Sequence, residues 1–243
     1  MNIPPNHPRY TSLVCREKIA EGVLHGIVHE TGLIAHGRGE AFDYLLGEKT
    51  IAIAENAAKA AAYSLYTADR PVISVNGNTA VLAGENIIKL AKIIDATIEV
   101  NLFHRTIERV NAIISLLSEY GAKHVLGKEC DARIPGLNHD RAKCSRGGIF
   151  VADVILVPLE DGDRCEALRS MGKTVIAIDL NPLSRTARTA DITIVDNVIR
   201  AIPAIETFIR QEDFITSWDN LKGLKSAIKY INCRLNDLYQ TKK

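Results

Sequence analysis

Polar residues suited to a phosphorylated ligand stand in three successive clusters, each at the end of a short apolar run. Glu160-Asp161-Gly162-Asp163-Arg164 follows residues 154–157, Asp179-Leu180-Asn181 follows residues 175–178, and Asp196-Asn197 follows residues 192–195. Arg185 and Thr186 come shortly after the second cluster. Carboxylates and amides there can accept from ribose or base, and Arg185 and Thr186 can donate to phosphate oxygens. Asp161 and Asp163 are candidates for magnesium, a hard ion that takes carboxylate and phosphate oxygens. Any one cluster reads more readily as a turn or a helix cap, because Asp, Asn and Gly serve both purposes. Three in succession, with Arg164 and Arg185 among them, point to a polyanionic ligand.

Two further clusters have the same character. Asn76-Gly77-Asn78 lies between an apolar run and a helical pattern, where free helix N–H groups and a glycine admit an anion; a capped turn is the alternative. Asn101-Leu102-Phe103-His104-Arg105-Thr106 offers His104 and Arg105 to a phosphate or a leaving group, or to the loop itself. Nearer the start, Arg38 stands between two glycines, which suits backbone crowding around an anion. His36 beside it can carry a proton or a hydrogen bond, and Arg16 alone reads as a surface charge.

Several chemistries lack their residues. There is no Walker A sequence, and Gly37-Arg38-Gly39 has Phe42 where the dinucleotide fingerprint needs its third glycine. No GxSxG or HxxxH-like pair occurs, and the five cysteines (Cys15, Cys130, Cys144, Cys165, Cys233) have no CxxC spacing. A net charge of +1 gives no basic footprint for nucleic acid. The apolar runs fall short of a membrane span, and the start shows no signal peptide. A cytoplasmic protein with reduced thiols is expected.

The elements that must position these residues follow from hydropathy. Residues 71–75, 97–102, 124–126, 154–157, 175–178 and 192–195 are short apolar or β-branched runs and read as strands. Helical patterns fill the intervals, so an α/β fold with a mostly parallel sheet and right-handed crossovers is expected. Ahead of it, a helix capped by Ser12 runs to Ile27. A break follows at Thr31-Gly32, then a loop from Gly32 leading into a second helix, and a third helix spans residues 51–67. Residues 127–148 show no period, and a loop of that length in a compact domain is functional or mobile more often than neutral. Residues 218–239 form an amphipathic helix, either core cover or a subunit contact. The expected organisation is an N-terminal helical lobe (1–69), an α/β core (70–212) and a C-terminal helix (213–243), together one compact domain.

Longer motifs carry a resemblance. His7-Pro8-Arg9-Tyr10, the run from Gly32 through His36-Gly37-Arg38-Gly39-Glu40 to Leu45, and Ser74-Val75-Asn76-Gly77-Asn78 resemble the archaeal phosphopantothenate synthetase family, also called 4-phosphopantoate–β-alanine ligase. So do Glu99-Val100-Asn101-Leu102-Phe103, residues 158–164 and residues 179–186. Cys165 departs from the Thr or Ser expected there and is given no role. The resemblance implies a Rossmann-like sheet, a homodimer, ATP with magnesium, and ligation of (R)-4-phosphopantoate to β-alanine on the route to coenzyme A. Its nucleotide residues fall on Arg16, Arg38, Asp179, Leu180, Asn181, Arg185, Thr186, Asn197 and Val198. Arg38, His104 and Arg105 are then the candidates for charge stabilisation in catalysis. Asn76, Asn78, Asn101 and His36 are the candidates for substrate binding. A non-catalytic nucleotide sensor on the same fold is the alternative.

Overall fold

A computed structural model describes residues 3–158 and 161–240 of the chain. Helices α1 (Tyr10–Leu24), α2 (Glu30–Leu46) and α3 (Ala52–Tyr66) come first. They precede β1 (Pro71–Val75), α4 (Gly77–Ile93), β2 (Thr97–Val100), α5 (Ile107–Glu119) and β3 (Val125–Leu126). A small antiparallel ribbon follows, β4 (Ala132–Arg133) with β5 (Lys143–Cys144). The chain then alternates through β6 (Val154–Pro158), α6 (Gly162–Ser170), β7 (Thr174–Ile178), α7 (Arg185–Thr189), β8 (Ile192–Ile194) and α8 (Val198–Gln211), and ends in α9 (Asn220–Gln240).

The main sheet is six-stranded and parallel, in the order β3-β2-β1-β6-β7-β8. Ile73 of β1 pairs with Ile98 of β2 on one side and Leu156 of β6 on the other. The chain thus winds outward from β1 in one direction and later resumes beside it in the other. That reversal opens a crevice at the carboxyl ends of β1 and β6, where such sheets take their ligands.

Successive strand residues point to opposite faces, and the core divides accordingly. Ile73, Val75, Leu156, Ile176, Ile178 and Ile194 pack with the buried alanines of α3 and with Ile202 and Ile205 of α8. Val72, Ile155, Val157, Val175 and Ala177 pack on the other side with Leu168, Ile134, Leu137 and Ile149. Three of those covering residues belong to the stretch around the ribbon, so residues 127–150 form an apolar cover over this sheet face beside α6. The cover is irregular because it folds as a ribbon and short turns rather than a helix, and hence no period is visible in its sequence.

Two N-terminal expectations change. α1 begins at Tyr10 with Arg9 at its cap position, so Ser12 lies inside the helix and its hydroxyl donates to Glu40 at 2.6 Å. The break falls at residues 25–29, where Gly26 has φ +68°. Thr31-Gly32 is instead the first turn of α2, capped by His29, whose ring accepts from the Thr31 N–H at 3.2 Å. Glycines weaken a helix by about 0.5–1 kcal/mol each, but here they allow contact: a Cβ on Gly32 would strike the Asn78 amide.

The tail helix is mainly core cover. Leu224, Ala227 and Ile231 of α9 are buried, whereas Leu221 and Leu238 are exposed. Asn220 fastens its start to the edge of the sheet: Oδ1 accepts from Thr193 N–H at 2.8 Å, and Nδ2 donates to the Ala187 and Ala190 carbonyls at 2.8 and 2.9 Å.

Candidate active site

Helix α2 lies across the carboxyl edge of the sheet. Asn78 Nδ2 donates to Gly32 O at 2.9 Å, Gly39 sits against Leu180, and Asn197 Nδ2 donates to the Asp43 carboxylate at 3.1 Å. The helix therefore passes the exits of β1, β7 and β8 in turn, and each of its two faces borders a cavity.

Thr31, Ala35, Arg38, Gly39 and Phe42 face the crevice, of about 310 Å³. Opposite them stand Asn76, Gly77 and Asn78 from β1 and α4, Leu102 to His104 after β2, Asp161 after β6, and Asp179, Leu180 and Asn181 after β7. Three arginines reach it: Arg38, Arg109 and Arg141. Arg141 Nε lies 2.8 Å from Asp161 Oδ2. Asp179 accepts from the Ser184 hydroxyl and from Asn181 N–H, fixing the turn. Burial pushes the Asp179 carboxyl above the usual carboxylate range, opposed by those two donors and by Arg38. Asn76 caps α4 by accepting from Thr79 N–H at 3.0 Å, and its amide donates to Pro158 O at 3.1 Å.

A polar bed supports the crevice. Arg164 is fully buried and donates from Nη2 to Ser74 Oγ at 2.7 Å and from Nη1 to Asn101 Oδ1 at 3.1 Å. Asn101 Nδ2 in turn donates to Lys143 O at 2.9 Å and Arg141 O at 3.3 Å. Glu99 is also buried; its oxygens accept from Ser145 N–H at 2.8 Å and Ile149 N–H at 2.7 Å. Burial raises the Glu99 carboxyl pKa, with the two amides and Arg164 opposing. Through these contacts the face-covering segment is anchored to β2, and Arg141 is held at the crevice.

The second cavity, about 360 Å³, lies on the other face of α2 and is bounded by Ser12, Cys15, His36, Glu40, Asp43, Asn197 and Arg200. Arg16 donates to Glu40 from Nη2 at 2.6 Å. Arg200 donates to Asp43 at 2.6 Å and, from Nε, to Asp196 at 2.8 Å, while Thr50 donates to the other Asp196 oxygen at 2.6 Å. Burial lowers the Arg200 pKa, but Asp43 and Asp196 outweigh it and the net direction is upward. His36 is pushed down by burial, with Glu40 opposing and Arg16 adding to the fall.

The residues singled out in the sequence thus fall in five places. Arg38, Asn76, Asn78, His104, Asp161, Asp179, Leu180 and Asn181 share the crevice. His36 and Asn197 border the second cavity, with Arg16 paired at its edge and Val198 buried as the first residue of α8. Arg185 is exposed on the first turn of α7, ion-paired with Asp163 and, at 2.9 Å, with Glu166; Thr186 is buried beside it. Arg105 donates to the Gly127 and Lys128 carbonyls at 2.6 and 3.0 Å, and Asn101 belongs to the polar bed. Glu160 lies outside the described residues.

Three crevice residues carried no signal in the sequence. Arg141 sits in the stretch without period, Arg109 reads as a solvated charge on α5, and His29 reads as part of a turn. A metal centre has little to build on: no group of three or more His, Cys, Asp or Glu among the described residues could hold an ion. Asp161 and Asp163 each face an arginine.

The chain is similar to known proteins along nearly its whole length. The sequence profile of the family described as phosphopantothenate/pantothenate synthetase matches residues 53–234. A protein of Thermococcus kodakarensis named 4-phosphopantoate–β-alanine ligase is 52% identical, covering 98% of this chain and 95% of its own. Relatives with the same name from Methanosarcina mazei and Methanospirillum hungatei are 53% and 51% identical, covering 98% and 96% of this chain and 97% and 98% of their own.

Proposed function

The chain belongs to the phosphopantothenate/pantothenate synthetase family, and from that premise we propose that it joins 4-phosphopantoate to β-alanine. The observation that carries this reading is likeness over nearly the full length to ligases of that name. The crevice makes it workable, since it gathers three arginines where a nucleotide and a phosphorylated acid must lie side by side.

In the first step the pantoate carboxylate attacks the α-phosphorus of ATP. A P–O bond forms, the α–β bridging P–O bond breaks, and diphosphate leaves, giving a phosphopantoyl adenylate. The deprotonated amine of β-alanine then attacks the acyl carbon. A C–N bond forms, the acyl C–O bond to phosphate breaks, AMP leaves, and one amine proton passes to solvent. Neither step needs a protein nucleophile. The protein's part is to align the groups and offset their repulsion.

Asp179, Leu180, Asn181 and Arg38 form the nucleotide end. The half-buried Asp179 and Asn181 offer fixed acceptors and donors to the nucleoside, and Arg38 stands above them for the phosphates. Arg185 and Thr186 flank this end on α7; Arg185 reaches a phosphate by exchanging its exposed ion pairs with Asp163 and Glu166, which are weak contacts in water. Arg16, Asn197 and Val198 extend the same assignment to the far side of α2, and His36 and Asn101 are placed as supports of the substrate region. Magnesium belongs to this reading only as an ion brought on the nucleotide, and no step is assigned to it.

Incubation with ATP, magnesium, 4-phosphopantoate and β-alanine is expected to yield AMP and 4′-phosphopantothenate in equal amounts. ADP in place of AMP would keep the ligase but replace the adenylate by an acyl phosphate. ATP binding without turnover would leave a nucleotide sensor. A cytoplasmic homodimer completes the proposal; exposed Leu24, Leu33 and Ile34 on α1 and α2 are apolar surface for such a contact, and sedimentation velocity tests it.

A further inference from the structure

Two kinds of charge stand in the crevice. Arg38 and Arg109 have no bonded carboxylate among the described residues and suit anionic substrates. Arg141 and Asp161 are different: they meet at 2.8 Å, Nε to Oδ2, and put both signs at one point of the wall. β6 lies between β1 and β7 in the sheet. One strand spacing, about 4.8 Å, therefore separates the exit of β6, which leads to Asp161, from the nucleotide end at β7.

The pair is built from both sides. Asp161 holds the N-cap position of α6, yet its carboxylate makes no cap bond to that helix. An aspartate at a cap commonly accepts from a backbone N–H of the first turn; here that bond is given up for the contact with Arg141. Arg141 is carried by the segment that covers the sheet face. Its carbonyl accepts from Asn101 Nδ2 at 3.3 Å, and Asn101 Oδ1 accepts from the buried Arg164 at 3.1 Å. The Arg141 side chain is 8% exposed and that of Asp161 is 41% exposed, so the guanidinium is fixed and the carboxylate is open to the crevice. An ion pair with one partner so exposed contributes little in water. A ligand carrying both charges can replace it without leaving a buried charge unmatched.

Of the three substrates in the ligase reading, ATP and 4-phosphopantoate are polyanions, whereas β-alanine is a zwitterion with no net charge. Uncompensated arginines draw in the first two but offer nothing to an ammonium group. Resting on that reading, we propose that Arg141 and Asp161 form the β-alanine subsite, the guanidinium taking its carboxylate and the Asp161 carboxylate taking its ammonium. The nitrogen is then held one strand from the nucleotide end, beside the acyl carbon that it attacks once a proton has passed to solvent. The two contacts hold the ligand's ends at a set separation. Glycine, with its shorter chain, and 4-aminobutyrate, with its longer one, should be poorer substrates.

Exchange of labelled diphosphate into ATP, driven by 4-phosphopantoate without β-alanine, reports adenylate formation alone. In Arg141→Met and Asp161→Asn this exchange is expected to stay within a factor of about two of wild type, while KM for β-alanine rises about tenfold to a hundredfold, the range for a lost hydrogen bond to a charged group. Two truncated ligands assign the ends. Propionate, which lacks the amine, should compete with β-alanine in wild type and Asp161→Asn but not in Arg141→Met. Propylamine, which lacks the carboxylate, should be used by Arg141→Met about as well as by wild type. Three results overturn the proposal: a rise in KM for ATP or 4-phosphopantoate in place of β-alanine, loss of exchange in both variants, or a raised magnesium requirement in Asp161→Asn with KM for β-alanine unchanged. Should Arg141→Met fail to fold by circular dichroism, Asp161→Asn decides: a selective rise in KM for β-alanine supports the subsite, and no change overturns it. If the wild-type protein shows neither exchange nor phosphopantothenate, the ligase reading itself is wrong. Calorimetric titration of β-alanine into wild type and Asp161→Asn then judges the subsite alone: weaker binding by the variant supports it, and equal affinity, or no binding to wild type, overturns it.

Discussion

On the crevice side of α2, Arg38 and Arg109 have no bonded carboxylate among the described residues, whereas on the other side Arg16 is held by Glu40 and Arg200 by both Asp43 and Asp196. Both cavities are of similar size, and both draw on the same helix. In the second, positive charge is already neutralised inside the protein, and Arg200 there ties α2 to α8. In the crevice Arg141 is paired with Asp161, but the charge that neutralises Arg38 and Arg109 is left for a ligand to bring. A cavity's volume says little about its use; the state of its ion pairs says more.

The largest effect that would break this contrast is at Arg200. Asp43 and Asp196 are both buried, and Arg200→Ala strands two carboxylates where Thr50 and Asn197 cannot compensate them. Breaking a buried pair in this way costs about 3–5 kcal/mol. Urea unfolding should show a loss of that order. A variant as stable as wild type would mean that the network is not what fastens α2 to α8. On the other face, Arg38→Ala should leave the unfolding midpoint almost unchanged and cut kcat/KM by about a hundredfold or more, in line with loss of one preorganised donor to developing charge. Loss of stability with retained activity would reverse the roles of the two faces.

Much of this arrangement is legible in the sequence, and what is hidden is hidden for physical reasons. Buried parallel strands are continuous apolar runs, so all six, and the polar residues at their exits, stand out; Asn76, Asp161 and Asp179 meet in one crevice because strand exits meet there. α2 is obscured because Gly32, Gly37 and Gly39 argue against a helix locally, and only the proximity of Asn78 and Leu180 explains two of them. The segment around the ribbon is obscured because Ile134, Leu137 and Ile149 cover a sheet face without a regular spacing. Arg141 and Arg109 cannot be told from surface charges, since their distinction is the presence or absence of a facing carboxylate in three dimensions. Asn101 was visible as a polar strand exit, but it turns down to Arg164 rather than up to the crevice.

A smaller effect distinguishes the faces through pH. His36 borders the second cavity, and burial depresses its pKa below the ordinary value, as it does for His29 at the crevice, where His104 and Arg109 add to the fall. In the unfolded chain each imidazole takes its proton at about 6.5. Below that pH the unfolded state therefore binds more protons than the folded one, and stability falls as pH falls; above it the contribution is complete. Urea midpoints between pH 5 and 8 should drop on the acid side, less steeply in His36→Gln than in wild type. His29 contributes to the part that remains in His36→Gln. An unchanged slope in His36→Gln would place the depressed group elsewhere.

The smallest effect concerns Gly37, which stands on α2 between His36 on one side and Arg38 on the other. A Cβ added there would meet nothing within 4 Å, and the residue lies inside the helix without a positive φ. Gly37→Ala should then stabilise the protein by about 0.4–1 kcal/mol, because alanine loses less backbone freedom on folding. If the two faces of α2 act independently and the helix is only a rigid partition, kcat should not change. A variant that is more stable but slower would show that α2 bends during turnover, and that the glycine is kept for motion between the braced cavity and the open one. Thermal unfolding and initial rates on the same preparation separate these outcomes.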